Sequence, residues 1–534
     1  MLPVPALPLP TAIRRTAFAG PFVPSDRRTR RHAQALRAFT LLLVCCMAAC
    51  TLRPASFDLA AARRRGDLAS TEVPGTARVE RGTPVREVRF QSTSWDNGVA
   101  RPISIHAIVA VPPGVYPSHS KPALVFAHGL GAQADRQTAI DLCLTLGVVA
   151  LSLSGPGLGH SQGRAVTPQD PSQLFAGEDD IRRNWMYAYV FAILRSITFL
   201  QTMTEVDPDA IAVTGFSLGG VATFIANGVD DRIRGAVPMA ASGGLPAAAA
   251  QDTWLRKLIQ SAADQKSAQR AAEGRSAASP QQPAAPTDPI ADAGVQALFR
   301  GLDPLIFARK QKGTVYMLIG AQDEYFPLPQ ALATFAAIPG HDKRLAVLAD
   351  YDHGWYFGGG CPARCMPGAP DRTECPPAPI CPPACPAGTQ PPYCGPQASY
   401  NRQSDFSDRW LLLLRALLAN HVAPRRSSAT VPPPPPPPSI EQAAAQLHIT
   451  ASPTAAAVRL AISRDCGYTY SQASLTKSPD GRYHALLPAA TDPRRMIAIV
   501  EEEGPAGAVS TTTQLPAVPC TSPLRPFGPR PEGG

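Results

Sequence analysis

The chain has 534 residues, of which 45% are hydrophobic and 17% are charged, and its formal net charge is +9. Seven arginines and one aspartate fall within residues 1–49, so that segment carries +6 and the remaining chain only +3. A balance this close to neutral argues against a nucleic-acid partner, and the length predicts more than one domain.

Residues 1–49 are predicted to be a leader. Five arginines within residues 27–37 precede a short apolar run at residues 39–44, which is too brief to span a bilayer as a helix. Met47-Ala48-Ala49-Cys50 follows and resembles a bacterial lipobox. We therefore expect an exported cell-envelope lipoprotein that is attached to the membrane by a lipid on Cys50. The alternative is an ordinary signal peptide cut before Cys50. Residues 50–79 are predicted to be a polar tether.

Strand-like and helix-like segments alternate between residues 80 and 424. Short apolar runs predict strands at residues 85–90, 103–111, 123–127, 148–153, 210–214, 314–320 and 344–348. Spaced apolar residues predict helices at 185–202 and 406–418. The alternation predicts a doubly wound, mostly parallel α/β sheet with helices on both faces. An insertion at residues 245–303 is predicted to form either a cap over the site or a surface helical hairpin.

Gly215-Phe216-Ser217-Leu218-Gly219 predicts a nucleophile. It lies between a strand-like run and a helix-like run, which is the context of a nucleophile elbow. Such a turn exposes the serine hydroxyl and aims the first helical amides at the oxyanion of acyl transfer. Gly159-His160-Ser161-Gln162-Gly163 matches the same pattern, but the polar, proline-containing segment after it cannot begin a helix at the serine. Ser161 is therefore the weaker candidate.

Two further residues follow strands in the order Ser, Asp, His. Asp323 comes just past the predicted strand at 314–320 and is the predicted acid, while His353 follows the strand at 344–348 and is the predicted base. The alternative acids are Glu324, Asp350 and Asp352, and the alternative bases are His160, which precedes the serine, and His341, which precedes its strand.

Together with His128-Gly129-Leu130-Gly131 after a strand, these residues resemble the α/β-hydrolase family over residues 80–420, in its serine esterase and lipase branch that includes dienelactone hydrolases and acetyl esterases. The resemblance implies hydrolysis of a small-molecule or lipid ester through an acyl-enzyme, without metal or organic cofactor. It also implies that the amides of Leu130 and Leu218 hold the oxyanion. The alternatives are a serine peptidase of the prolyl-oligopeptidase type and a non-catalytic, surface-anchored binding protein on a hydrolase scaffold.

A cysteine- and proline-rich insert occupies residues 361–394. Its cysteines are Cys361, Cys365, Cys375, Cys381, Cys385 and Cys394. With so few apolar residues this insert needs covalent or metal staples, and in an oxidising compartment disulfides are the simpler prediction. Zinc is the alternative, because two pairs of these cysteines have C-x3-C spacing. The insert begins only eight positions after His353 (361 − 353), so we expect it at the rim of the site.

A second domain is predicted after a proline-rich linker at residues 425–440. Residues 441–520 contain short strand-like pieces separated by turn signals and predict a small antiparallel β-domain, with residues 521–534 as a tail. Cys466 and Cys520 are the candidates for one disulfide within it.

Overall fold

The computed structural model describes residues 55–515 except positions 97, 252, 273–287, 350, 352, 354–395, 425–430, 444, 465–466, 468–469, 488–490 and 493. Within these residues a ten-stranded sheet runs through the larger part of the chain. Its strands are β1 Thr71–Glu72, β2 Arg78–Glu80, β3 Thr83–Asp96, β4 Val99–Ala110, β5 Lys121–Ala127, β6 Val149–Leu153, β7 Val206–Phe216, β8 Ile233–Met239, β9 Thr314–Gly320 and β10 Arg344–Leu348.

The strand order is β1-β3-β4-β6-β5-β7-β8-β9-β10, and β2 pairs with β3. Strands β6, β5, β7, β8, β9 and β10 are parallel, whereas β1 to β4 form an antiparallel edge. The order reverses around β5, so the carboxyl ends of β5 and β7 lie side by side, with Ala127 opposite Gly215. In open α/β sheets, ligands bind beside the carboxyl ends of the strands, at the point where the strand order reverses.

Helices cover both faces of the sheet. They are α1 Leu59–Arg63, α2 Arg136–Leu146, α3 Trp185–Leu200, α4 Leu218–Val229, α5 Leu245–Ala249, α6 Trp254–Ala272, α7 Ala293–Gly301, α8 Pro304–Ala308, α9 Leu328–Ala337 and α10 Pro396–Leu417, which a π-helical turn at Leu418–Val422 extends. None of the helices built from the described residues combines the length and the apolar character needed to cross a membrane.

Side chains along each strand point alternately to the two faces of the sheet and so contribute to two hydrophobic cores. In β5, Ala123, Val125 and Ala127 face the core shared with α3 and α4. Leu124 and Phe126 face the opposite core, against α2 and α10. Successive strand residues point to opposite faces, so a strand buried on both sides reads as one continuous apolar run. The predicted α/β-hydrolase sheet is confirmed.

The tether prediction is wrong for the described residues 55–79. Phe57 stacks on Tyr187 of α3, with ring centroids 4.3 Å apart. Arg195, buried within α3, donates to the carbonyl oxygens of Ala61, Ala62 and Arg64. A buried guanidinium needs several acceptors, and α1 supplies them. This segment is therefore part of the hydrolase fold.

The predicted small β-domain is present. Its strands form two four-stranded sheets: β11 Ser439–Ala443, β12 Gln446–Thr450, β16 Tyr483–Leu486 and β15 Thr476–Lys477 in one, and β14 Ser471–Ala473, β13 Ala457–Ser463, β17 Ile497–Glu503 and β18 Val509–Gln514 in the other. Strand β18 lies against the sheet-edge strand β10, where Thr511 Oγ1 accepts from the amide of Val347 at 3.0 Å and donates to Leu345 O at 3.1 Å. The domain thus covers an otherwise exposed sheet edge.

Candidate active site

Ser217 occupies the tight turn between β7 and α4. Its backbone angles are φ 56° and ψ −117°, which non-glycine residues rarely adopt. The turn is held from both sides: Ser217 N donates to Met239 O of β8 at 3.0 Å, and Ser217 O accepts from Val221 N at 2.9 Å. Strain that the surrounding structure enforces in this way is typical of functional turns.

Two glycines let the elbow close. A Cβ on Gly219 would lie 2.0 Å from the carbonyl oxygen of Ala127, and one on Gly215 would lie 2.4 Å from that of Gly219. No side chain fits at either position, since real Cβ contacts are never that short. Helix α4 therefore begins in direct backbone contact with the end of β5.

His353 lies between Ser217 and Asp323. Its Nε2 is 2.8 Å from Ser217 Oγ, and its Nδ1 is 3.0 Å from each carboxylate oxygen of Asp323. In the neutral imidazole, Nδ1–H donates to Asp323 and Nε2 accepts from the serine hydroxyl. All three side chains are buried. The structure thus brings the three sequence-predicted residues into one hydrogen-bonded chain.

The acid and the base are both held by their surroundings. Asp323 Oδ1 also accepts the amides of Tyr325 at 2.9 Å and Phe326 at 2.8 Å, which fixes the carboxylate on its own loop. The imidazole of His353 packs among the rings of Tyr325, Phe326 and Phe216, with centroids 4.4 to 5.7 Å away. Both features limit motion of the side chains that must stay aligned.

The loop after β5 lies against the nucleophile. A Cβ on Gly129 would be 3.4 Å from Ser217 Cβ. His128 fixes this loop: its Nδ1 is 2.7 Å from Gly129 O, and its Nε2 accepts from Gly155 N at 2.8 Å. Burial lowers the pKa of His128 to about 4, so the ring is neutral and Nδ1–H donates. Because a trans peptide places C=O and N–H on opposite sides, the Leu130 amide points away from His128.

Ser161 is placed differently from Ser217. Its Oγ accepts from His106 N at 2.9 Å and donates to Ser154 O at 3.0 Å, so it joins the loop after β6 to β4. The hydroxyl of Ser161, the weaker candidate, therefore serves to join two backbone segments. His160 packs its ring on His106, and the carbonyl of His341 accepts from Arg344. The structure brings neither histidine to Ser217.

Several predicted residues lie outside the described part of the chain. They are Asp350, Asp352, Cys50, Cys361, Cys365, Cys375, Cys381, Cys385, Cys394, Cys466 and Cys520. Among the described residues one cysteine occurs, Cys143, a free thiol whose pKa burial raises to about 12. In that same part of the chain, no cluster of three or more metal-binding side chains is arranged to hold an ion. The disulfide and lipidation assignments stay predictions.

The sequence reasoning missed an aromatic surface beside the histidine. Trp254, the first residue of α6, stacks on Tyr325 with centroids 6.2 Å apart and planes at 26°. Both residues are partly exposed. Trp254 lies in the 245–303 insertion, whose helices therefore reach the site. The sequence signal that could have indicated this surface is a tryptophan at the start of an otherwise polar helix. Packing of such a helix does not by itself require a tryptophan there.

The reversed strand order and the strained elbow, followed along the chain by the acid and then the histidine, define the fold as that of an α/β-hydrolase. Residues 96–241 match the family described as Acetyl xylan esterase (AXE1). This span contains the elbow and the 128–131 loop but ends before Asp323 and His353. The similarity to this family is therefore confined to the central region of the chain.

Individual relatives are distant. The putative hydrolase YtaP of Bacillus subtilis (strain 168) is 26% identical over 127 residues, which is 21% of this chain and 41% of that protein. The acetyl xylan esterase from Paenibacillus sp. R4 is 20% identical with a TM-score of 0.44, covering 55% of this chain and 87% of its own. Acetyl xylan esterase 1 from Thermoanaerobacterium sp. JW/SL YS485 is 19% identical with a TM-score of 0.41, covering 56% and 89%.

Proposed function

We propose that the protein hydrolyses a carboxylic ester through an acyl-enzyme on Ser217. The observation that carries the proposal is the hydrogen-bonded chain Ser217–His353–Asp323 at a strained elbow. The elbow places backbone strain at Ser217, and strain of this kind clusters at functional sites. The matched family supports an ester as the scissile group.

In the first half-reaction Ser217 Oγ attacks the carbonyl carbon while its proton moves to His353 Nε2. Asp323 keeps the imidazole in the required tautomer and stabilises the imidazolium. The proton then passes from Nε2 to the leaving alkoxide as the C–O bond breaks, which releases the alcohol and leaves the acyl group on Ser217. Water enters in the place of the alcohol and repeats both proton transfers, releasing the carboxylic acid.

The amides of Leu218 and Leu130 are the proposed donors to the oxyanion. Leu218 N belongs to the first turn of α4, where amides have no partner within the helix. Leu130 N is turned away from His128, on a loop that contacts Ser217. A typical donor of this kind stabilises the transition state by about 3 kcal/mol.

The preferred substrate is proposed to be a short acyl ester, acetyl above all, of a carbohydrate. The matched family supports the acetyl group. The partly exposed residues Trp254 and Tyr325 support a cyclic leaving group, because their rings stack beside His353 and aromatic side chains next to a reacting centre suit a sugar ring; Lys257 Nζ lies 5.0 Å from the centroid of the Trp254 ring.

A substrate panel tests this function. Purified protein and its Ser217→Ala variant would be assayed on acetylated xylan, on p-nitrophenyl esters of rising acyl length and on aminoacyl p-nitroanilides. We expect Ser217-dependent cleavage of acetyl esters that falls with acyl length. Cleavage of the anilides at a comparable kcat/KM would instead support the prolyl-oligopeptidase-type alternative.

We also propose that the protein is an exported lipoprotein anchored through Cys50. The motif at Cys50 supports this proposal. Cys50→Ser should release the protein from the membrane fraction or block its processing. Unchanged membrane partition of that variant, with no lipid on the mature N-terminus by mass spectrometry, would exclude the anchor.

A further inference from the structure

Two neighbouring acidic residues hold His353 at two different places. Asp323 binds Nδ1 of the imidazole, whereas Glu324 Oε2 accepts the backbone amide of His353 at 2.9 Å. Both acidic side chains are buried. The ring and the backbone of one histidine are therefore fixed separately, from consecutive positions of one loop.

The Glu324 contact is made by the carboxyl group of a buried side chain. An ionised acceptor forms shorter bonds to backbone amides, about twice as strong as neutral ones. The glutamate is itself fixed, because its carbonyl oxygen accepts Trp254 N at 3.0 Å. Removing the carboxylate would leave the buried amide of His353 without this acceptor, which is the costly direction for a hydrogen bond.

We propose that Glu324 is a positioning residue for the base: its carboxylate holds the backbone of His353 so that Nε2 stays within reach of Ser217 Oγ. The proposal rests on the proposed function. It separates the two acidic residues by role. Asp323 sets the protonation and orientation of the imidazole ring, and Glu324 sets the position of the backbone that carries the ring.

Positioning of the base affects the chemical steps and not substrate binding. His353 Nε2 lies 2.8 Å from Ser217 Oγ, and misplacement of a catalytic group by roughly 1 Å costs about 10²-fold in rate. Loss of the Glu324 contact should therefore lower kcat and leave KM nearly unchanged. It should also slow reaction of Ser217 with a fluorophosphonate, since that reaction needs the same base.

The test compares Glu324→Gln with Glu324→Met. Both side chains are close to glutamate in size, but only glutamine retains an oxygen that can accept the amide of His353. Glu502 supplies the matched control, because it is also buried and also accepts a backbone amide, that of Ser452, within the β-domain. Each variant is assayed for kcat, KM, fluorophosphonate labelling rate and thermal unfolding, with kcat normalised to titrated active sites.

We expect Glu324→Met to lose about 10²-fold in kcat and in labelling rate. Glu324→Gln should stay within about threefold, because the neutral acceptor keeps the bond. Glu502→Met should lower only the unfolding temperature. Equal activities of Glu324→Gln and Glu324→Met would overturn the proposal, as would a normal kcat per titrated site in Glu324→Met. A wild-type protein that neither labels nor hydrolyses esters would overturn the proposed function itself.

Discussion

Gly219 and Ala127 join the two halves of the candidate site, because a Cβ on Gly219 would lie 2.0 Å from the carbonyl oxygen of Ala127. The helix that carries the nucleophile therefore starts in backbone contact with the strand that leads into the 128–131 loop. This contact sets the separation between Ser217 and the proposed oxyanion donor Leu130.

Gly219→Ala should accordingly damage both fold and activity. The added methyl group meets backbone on a buried strand that cannot give way, so we expect a loss of about 3 kcal/mol or more in the free energy of unfolding. Gly66→Ala is the matched control, since a Cβ there has open space around it. Urea unfolding checks both variants, and similar midpoints for the two would contradict the account.

Ser217→Ala and Ser161→Ala should separate the two G-x-S-x-G serines. Removing a triad nucleophile typically lowers kcat by about 10⁶-fold. Ser161→Ala should keep most activity and lose about 1 to 2 kcal/mol of stability, because its hydroxyl joins His106 N to Ser154 O. An inactive but stable Ser161→Ala protein would show that the elbow assignment is wrong.

Asp323→Asn should lower kcat by about 10⁴-fold while the fold is retained, because asparagine favours the wrong imidazole tautomer. The measurement is kcat with p-nitrophenyl acetate beside a circular dichroism spectrum. Asp350→Asn and Asp352→Asn serve as controls. A mild effect of Asp323→Asn beside a severe effect of either control would show that another residue is the acid of the triad.

Trp254→Ala should selectively weaken the binding of carbohydrate esters. Loss of an aromatic stacking surface of this kind is expected to raise KM about 3- to 10-fold. Trp254→Phe, which keeps an aromatic face, should recover most of the loss. Michaelis curves for acetylated xylo-oligosaccharides and p-nitrophenyl acetate check this, and equal KM changes for both substrates would contradict a role in leaving-group recognition.

Stability should fall as the pH drops from about 6.5 to 4. The pKa of His128 is lowered from 6.5 to about 4 by burial, so the unfolded chain binds a proton at this position in that window and the folded chain does not. The stabilisation that comes from a neutral His128 is fully present above pH 6.5. The free energy of unfolding therefore falls by about 3 kcal/mol by the time the pH reaches 4.

His128→Asn removes this titration and tests it. His106 and His421 also have pKa values lowered by burial, and both remain in the variant. The free energy of unfolding, measured by urea from pH 7.5 to 4.5, should therefore depend less steeply on pH in His128→Asn. Parallel curves for variant and wild type would show that His128 does not titrate as described.

Much of the fold followed from the sequence, because long apolar, β-branched runs correspond to strands buried on both faces. Strand β8 escaped prediction. It contains Gly235 and Pro238, residues that normally interrupt strands. The packing explains the glycine, since a Cβ there would lie 2.8 Å from Leu417 Cδ2 of α10. Such a requirement comes from a helix far along the chain and leaves no local signal.

The residues of the candidate triad could be proposed from local motifs and chain order. The role of Glu324 could not, because it depends on the position of an amide 29 residues further along the chain. The aromatic surface of Trp254 and Tyr325 was hidden for the same reason. Both contacts involve the loop that carries Glu324 and Tyr325, and loop placement is set by tertiary packing and not by periodicity.

Mapping a fluorophosphonate adduct tests the proposed nucleophile most directly. Wild-type protein would be labelled to completion, digested and analysed by mass spectrometry, with hydrolysis of p-nitrophenyl acetate followed in parallel. We predict one adduct per chain, on the peptide that contains Ser217, formed at the rate at which esterase activity disappears, and no adduct in Ser217→Ala. An adduct on the peptide of Ser161, or full esterase activity without any adduct on Ser217, would contradict it.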